Sequence, residues 1–174
     1  HTPAQVDDSP SPDTQSPTSH QLPGQFALQR SASRTAKVQQ MEDALRARPD
    51  LAAKRRTLIQ EVDKARKRST GGSVFYAIYN CQRPSGGRPF MLVAHKNWDA
   101  VKLDYQRKIS AKFKEFDGAM LFFALQTLEH VLCGEQIPYT DTGTLANVLR
   151  ERDICVPRRL LSHQDPSSLH LWPM

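Results

Sequence analysis

From Val74 to Tyr79 the chain reads Val-Phe-Tyr-Ala-Ile-Tyr, β-branched and aromatic almost throughout, which predicts a strand. A turn-rich stretch follows over Gln82–Pro89, with Pro-Ser-Gly-Gly-Arg-Pro at its centre, and Phe90–Ala94 reads as a second strand. Asn97 is placed to cap a helix in which Trp98, Val101 and Tyr105 share one face. Over Ala111–Phe116 the pattern alternates as a third strand, with Phe113 on one face and Lys112, Lys114 and Phe116 on the other. Asp117 is expected to cap the most apolar helix, through Met120, Leu121, Phe123, Leu125, Leu128, Val131 and Leu132, with Gly134 as its C-cap. Thr142 or Thr144 starts a short helix through Leu145, Val148 and Leu149, and residues 153–174 read as an extended tail.

Upstream, the apolar residues return at helical spacing. Val38, Met41 and Leu45 predict a helix from about Ser33 to Arg48. Pro49-Asp50 breaks it, and Asp50 is expected to cap a second helix to about Lys67, with Leu51, Leu58 and Val62 as a narrow apolar stripe. The other side of that second helix holds Lys54, Arg55, Arg56, Lys64, Arg66, Lys67 and Arg68. Together these predict a basic helical hairpin with one apolar seam. Its basic face suits nucleic acid, and equally suits solvent or an acidic protein surface. Residues 1–29 are different. Prolines at 3, 10, 12, 17 and 23 and serines at 9, 11, 16 and 19 leave too little apolar surface to offset ordering entropy, so an extended arm lying along a partner is expected.

The predicted organisation is an arm over 1–29, the helical hairpin over 30–70, a folded domain over 71–134, and a short helix with a tail over 135–174. The predicted fold class is α+β: a small three-stranded antiparallel sheet with two packed helices. A length of 174 residues suits one ordinary domain with appendages, and a mean hydropathy of −0.57 with 39% hydrophobic residues implies a small core.

Charge sharpens this picture. The formal net charge is +6 with a pI near 9.4, which favours anionic partners without choosing among them. It is unevenly spread: residues 1–29 contain Asp7, Asp8 and Asp13 and no Lys or Arg, while residues 30–70 carry twelve Lys/Arg against five Asp/Glu. Three cysteines, Cys81, Cys133 and Cys155, are too widely spaced for a metal knuckle and odd in number, so free thiols in a reducing compartment are expected. No run of residues reaches the ~18 apolar positions of a membrane helix, so no membrane partner is expected. The N-terminus is polar and proline-rich rather than signal-like, and a start at His1 suggests a processed product or a fragment.

The order of elements from Val74 to Leu125 resembles the viroplasmin-like, or hybrid-binding, domain of caulimovirus inclusion-body proteins and of many eukaryotic ribonucleases H. The residues that carry the resemblance are Phe75-Tyr76-Ala77 in the first strand, Trp98 opening the helix, and Ala111-Lys112-Phe113-Lys114 with Phe116 in the third strand. The fifteen-residue step from Trp98 to Phe113 also matches. In members that bind nucleic acid, the corresponding aromatic and lysine residues grip a duplex backbone. The resemblance therefore implies a nucleic-acid-binding set of Tyr76, Trp98, Lys112, Phe113 and Lys114, extended by Arg83 and Arg88 in the enlarged turn. Such a surface would read A-like duplexes by shape and phosphate contacts. Two departures cut against it: Glu115 stands where a second lysine belongs, and the connection from Tyr76 to Trp98 is longer than usual. Phe75, Trp98 and Phe113 also suit simple core filling.

No other chemistry is indicated. The acidic residues after Leu125 have no spacing that gathers four at one site, the six histidines are scattered, and Gly71-Gly72 and Gly86-Gly87 lack the lysine of a phosphate loop. His130 and Cys133 stand one helical turn apart, a pair that more often reflects packing than metal ligation. The chain is thus not expected to be an enzyme, and no catalytic residue, metal or cofactor is expected. Two functions remain. One is a non-catalytic structural component of a larger, viral assembly (capsid-associated or inclusion-body), held to protein partners by residues 1–29 and the C-terminal tail, in the virion or the cytoplasm. The alternative is a double-stranded RNA or RNA–DNA hybrid-binding module.

Overall fold

A computed structural model describes residues 23–67, 74–81, 86–87, 89–95, 99, 109–138 and 143–161. The chain divides into two units, 1–36 and 37–174. Helix α1, Pro23–Ala47, crosses that boundary. Then follow α2 (Pro49–Lys67), β1 (Phe75–Cys81), β2 (Phe90–His95), β3 (Ile109–Phe113), α3 (Phe116–Cys133), α4 (Gly143–Glu151) and a 3-10 turn at Arg158–Leu160. The described elements are thus α+β, with a three-stranded antiparallel sheet in the order β2-β1-β3.

Of the first unit, the described part is the start of α1. The helix begins at Pro23, ten residues before the predicted start, so 23–29 belong to a helix rather than to an arm. Proline at the first helical position costs nothing there, because its missing N–H would have no intrahelical partner. Thr35 Oγ1 donates to the Ser31 carbonyl at 3.1 Å, back-bonding that lets a β-branched hydroxyl sit inside a helix. The rest of the predicted arm, 1–22, lies outside the described residues.

In the second unit the apolar stripe of α2 behaves as predicted. Leu51, Leu58 and Val62 are buried, because α2 lies on α3. The α1 stripe does not. Val38 is 54% exposed, and Met41 and Leu45 are only half-buried. The expected hairpin seam is therefore absent: the apolar surface α2 needed is supplied by α3, not by α1. The link between the helices is a tight corner in which Pro49 opens α2, the Ala52 N–H donates to the Arg48 carbonyl at 3.0 Å, and Asp50 turns its carboxylate onto the Arg48 guanidinium at 3.2 Å. Asp50 is thus an acidic first-turn residue held below its usual pKa by Arg48, rather than the cap.

Central strand β1 pairs on both sides, Tyr76 with Ala94 and Lys112, and Ile78 with Leu92 and Ser110. Ala77, Tyr79 and Phe113 turn one face of the sheet onto α3, where Met120, Phe123 and Leu128 are buried with them. Tyr76, Ile78, Phe90, Leu92 and Ala94 make a second cluster on the other face, in which Ile78 and Cys81 are fully buried. A bulge between Ile78 and Cys81 places Asn80 at φ 53, a left-handed position its short polar side chain tolerates.

Strand β3 stops at Phe113, so Phe116 is not a strand residue. It opens α3 and meets Phe75 edge-on at 6.0 Å, on the core side and not the side shared by Lys112. The residue before α3 is Glu115, which makes no side-chain cap; Asp117 sits in the first turn instead. Gly134 closes α3 at φ 64, with its own N–H and that of Glu135 returning to the Val131 and His130 carbonyls at 3.3 and 2.9 Å. Asp153 (φ 53) does the same after α4, with the Ile154 N–H bonded to the Leu149 carbonyl at 2.9 Å.

Residues 153–161 are not a tail. Ile154, Val156 and Leu160 are all buried in the main cluster, and the Ile137 N–H donates to the Leu160 carbonyl at 2.7 Å. One core therefore runs from Leu51 to Leu160, and the expected boundaries at 71 and 134 do not delimit it. Apart from Asp99, which is helical, the predicted helix from Asn97 and the remainder of the tail, 162–174, fall outside the described residues.

Candidate interaction surface

The resemblance-derived set separates by side of the sheet. Tyr76 and Lys112 are cross-strand partners, so their side chains leave the same face of the sheet. Tyr76 is half-buried and Lys112 exposed. Phe113, one residue on, points the opposite way and is fully buried. It packs 6.0 Å from Phe122, and its ring lies so near Gly118 that a Cβ there would come within 2.7 Å of Phe113 Cδ1. Phe113 is a core residue, with no surface to give a ligand. Period-two alternation makes this unavoidable: if Lys112 faces outward, its neighbour faces in. Trp98, Arg83 and Arg88 lie outside the described residues.

Lys114 and Glu115 are exposed where β3 ends and α3 begins. They line a cleft of about 380 Å³ with Glu61 and Lys64 from α2 and Asp117 from α3. The fold thus puts Lys64 beside Lys114, fifty residues away in sequence, and no local pattern signals that neighbour. It puts three carboxylates there too. Glu61 is held by Arg152, whose Nη2 lies 3.1 Å from Oε2, while Glu115 and Asp117 offset the two lysines. The cleft has mixed charge and presents no net attraction to a polyanion.

The basic face of α2 is partly spent inside the molecule. Arg55 pairs with Glu129 of α3 at 2.9 Å, both half-buried, and Lys54 reaches the Asp153 carboxylate at 3.2 Å as well as its carbonyl. These two cations hold α2 to α3 and to the end of α4. Arg56, Lys64, Arg66 and Lys67 remain exposed, and Arg68 lies outside the described residues. Sequence alone counted all seven as one face because helical spacing shows where a side chain leaves the helix, not what it meets.

Near the end of α3 lie two buried hydroxyls without a hydrogen-bond partner among the described residues, those of Tyr79 and Thr127. Tyr79 is fully buried, and burial drives its phenol well above the usual range. The Thr127 hydroxyl acts on it in the opposite direction, yet neither hydroxyl reaches hydrogen-bonding geometry with a partner. His130 stands edge-on to the Tyr79 ring at 5.2 Å and donates from Nδ1 to the Gln136 carbonyl at 2.8 Å. Burial, then Glu135, raises the Cys133 thiol above its ordinary range. Among the described residues no group of three or more His, Cys, Asp or Glu side chains is placed to hold a metal, and no helix among them is long and apolar enough to cross a membrane.

The other unassigned surface is α1. Every described side chain from Gln29 to Gln40 is exposed. Within the second unit its attachments include Lys37 to the Glu135 carboxylate at 3.4 Å and Gln40 Nε2 to the Cys133 carbonyl at 3.0 Å, both polar and both solvent-exposed. Against known proteins, the chain matches no family model, no curated protein and no solved structure.

Proposed function

We propose that this chain is a non-catalytic component of a larger protein assembly and that α1 is its docking element. The observation carrying this reading is the exposure of α1 from Gln29 to Gln40, with Val38 54% open to solvent. Helices in proteins draw most of their stability from packing an amphipathic face, and Val38 of α1 lies open to solvent. A partner surface that accepts Val38, Met41 and Leu45 would supply the missing apolar contact. The viral setting rests on the resemblance of residues 74–125 alone. The test is Val38→Asp in the full chain: incorporation into sedimenting assemblies should fall several-fold, with an unchanged thermal unfolding midpoint. Undiminished incorporation would reject α1 as the docking element.

A second reading, duplex binding, is favoured by one observation. Tyr76 and Lys112 leave the same sheet face as cross-strand partners, an aromatic beside a cation. Against it stand the burial of Phe113, the internal pairing of Lys54 and Arg55, and the carboxylates around Lys114. A 20-base-pair RNA duplex titrated at low salt tests it directly, since phosphate contacts make affinity fall steeply as salt rises.

A further inference from the structure

We infer that the outer edge of β2 is a self-pairing surface, on which the same strand of a second copy of this chain adds antiparallel to make one continuous six-stranded sheet. The inference does not rest on α1 as docking element.

β2 is an edge strand, because the sheet runs β2-β1-β3. Its inner side pairs with β1. Alternate residues of an edge strand point their N–H and C=O groups outward, which is a template for a further strand. Among the described residues no segment pairs with that outer side over Met91–His95. The side chains already serve the molecule's own faces. Met91 and Val93 pack into the main core, and Phe90, Leu92 and Ala94 into the second cluster. What β2 offers a partner is therefore its backbone edge.

The two edges of the sheet differ in how they resist a further strand. β3 holds the exposed Lys112 and runs into the exposed Lys114. It also has α2 beside it, where Glu61, Lys64 and Ala65 share a cleft with Phe113. Lysines and covering elements are the means by which natural sheets blunt an edge. β2 reads Phe-Met-Leu-Val-Ala-His, with no Asp, Glu, Lys, Arg, Pro or Gly.

That composition selects the occupant. In a two-fold pairing a strand meets itself, so it must tolerate its own chemistry. The axis stands perpendicular to the sheet, and each face continues across the junction. Phe90, Leu92 and Ala94 of both copies lie on one side, and Met91, Val93 and His95 on the other. No residue of β2 carries a fixed charge to oppose its own copy, and apolar cross-strand pairs stabilise the junction. Two copies of β3 would instead bring Lys112 toward the partner's Lys112. A six-residue strand makes a contact smaller than a standard interface, so dissociation in the micromolar range is expected.

The test is sedimentation equilibrium of the full chain from about 5 to 500 µM, a range that brackets such an affinity. The mean mass should climb from one 19.7 kDa chain toward two. Each copy carries a formal +6, so the dimer should tighten at least about twofold between about 20 mM and 0.3 M salt. Weakening with salt would point to an ionic contact and overturn the inference. Ala94→Lys should raise the dissociation constant at least about tenfold, whereas Ile109→Lys on the opposite edge should change it less than about twofold. Should Ala94→Lys alter the circular dichroism spectrum, amide exchange of the wild type decides alone. Exchange over Met91–His95 should slow with protein concentration, and exchange over Ile109–Phe113 should not. A chain that stays monomeric throughout overturns the inference, as does concentration-independent exchange at Met91–His95. So does a dimer that survives Ala94→Lys, and if that dimer is lost in Val38→Asp the contact belongs to α1.

Discussion

Gly118 is the residue on which the packing of β3 against α3 turns. A methyl group there would sit 2.7 Å from Phe113 Cδ1 and 3.1 Å from Ala65 Cβ, so the fully buried Phe113 ring must shift to admit it. Gly118→Ala should therefore destabilise the fold by about 1–3 kcal/mol in chemical denaturation, although alanine is the better helix former. Tyr79 presents the opposite case. Its hydroxyl is buried without a hydrogen-bond partner, so Tyr79→Phe should be neutral or stabilising by about 1 kcal/mol. The pH response follows from burial, which keeps the folded phenol protonated while the unfolded one ionises near its ordinary value of about 10. Above that pH the unfolded chain binds fewer protons than the folded one, so this residue makes stability fall as pH rises, by up to about 1.4 kcal/mol per unit. Tyr79→Phe should remove that share of the alkaline slope, and an unchanged slope would contradict the assigned burial. Both residues belong to sequence patterns that predict a strand or helix, but nothing local marks Gly118 as a contact or Tyr79 as an unpartnered phenol.

At the scale of elements, α1 and α2 make the clearest contrast. Each carries three apolar residues at helical spacing, and the sequence assigns them to each other. In the structure Leu58 is 1% exposed against α3, while Val38 is 54% exposed. Leu58→Ala should cost about 2–5 kcal/mol of stability, and Val38→Ala should stay within about 0.5 kcal/mol. Equal costs would mean that α1 is packed as tightly as α2. Amide exchange should report the same ranking, with Gln29–Gln40 less protected than the buried face of α2. The reason lies in what α3 offers. It is the most apolar helix, buried along most of its length, and it has one face for the sheet and another for α2. The ion pair between Arg55 and Glu129 then reinforces that choice at its edge, at a site where removing one partner leaves the other half-buried and uncompensated.

At the scale of the whole molecule, the core extends well past the segment that carries the viroplasmin-like resemblance. Ile154, Val156 and Leu160 lie in one cluster with Leu51, Leu58 and Val62. A fragment of residues 74–133 should therefore fail to unfold cooperatively, whereas residues 37–161 should give a single cooperative transition by circular dichroism. A cooperative 74–133 fragment would show that the flanking segments are accessory. The net charge of +6 also belongs to this scale, since it favours anionic partners at low salt while saying nothing about fold.

Sequence by itself determined the element types: period-two and period-3.6 patterns located three strands, the apolar α3 with its Gly134 stop, α4, and the buried stripe of α2. These are short-range properties, dictated by which side chains the pleat or the helix places together. Tertiary structure alone decided the partnerships. It put α2 on α3 instead of on α1, drew residues 153–161 into the core, and spent Lys54 and Arg55 on internal carboxylates. Burial and ion pairing depend on residues fifty to a hundred positions apart, and periodicity along a chain carries no record of that distance.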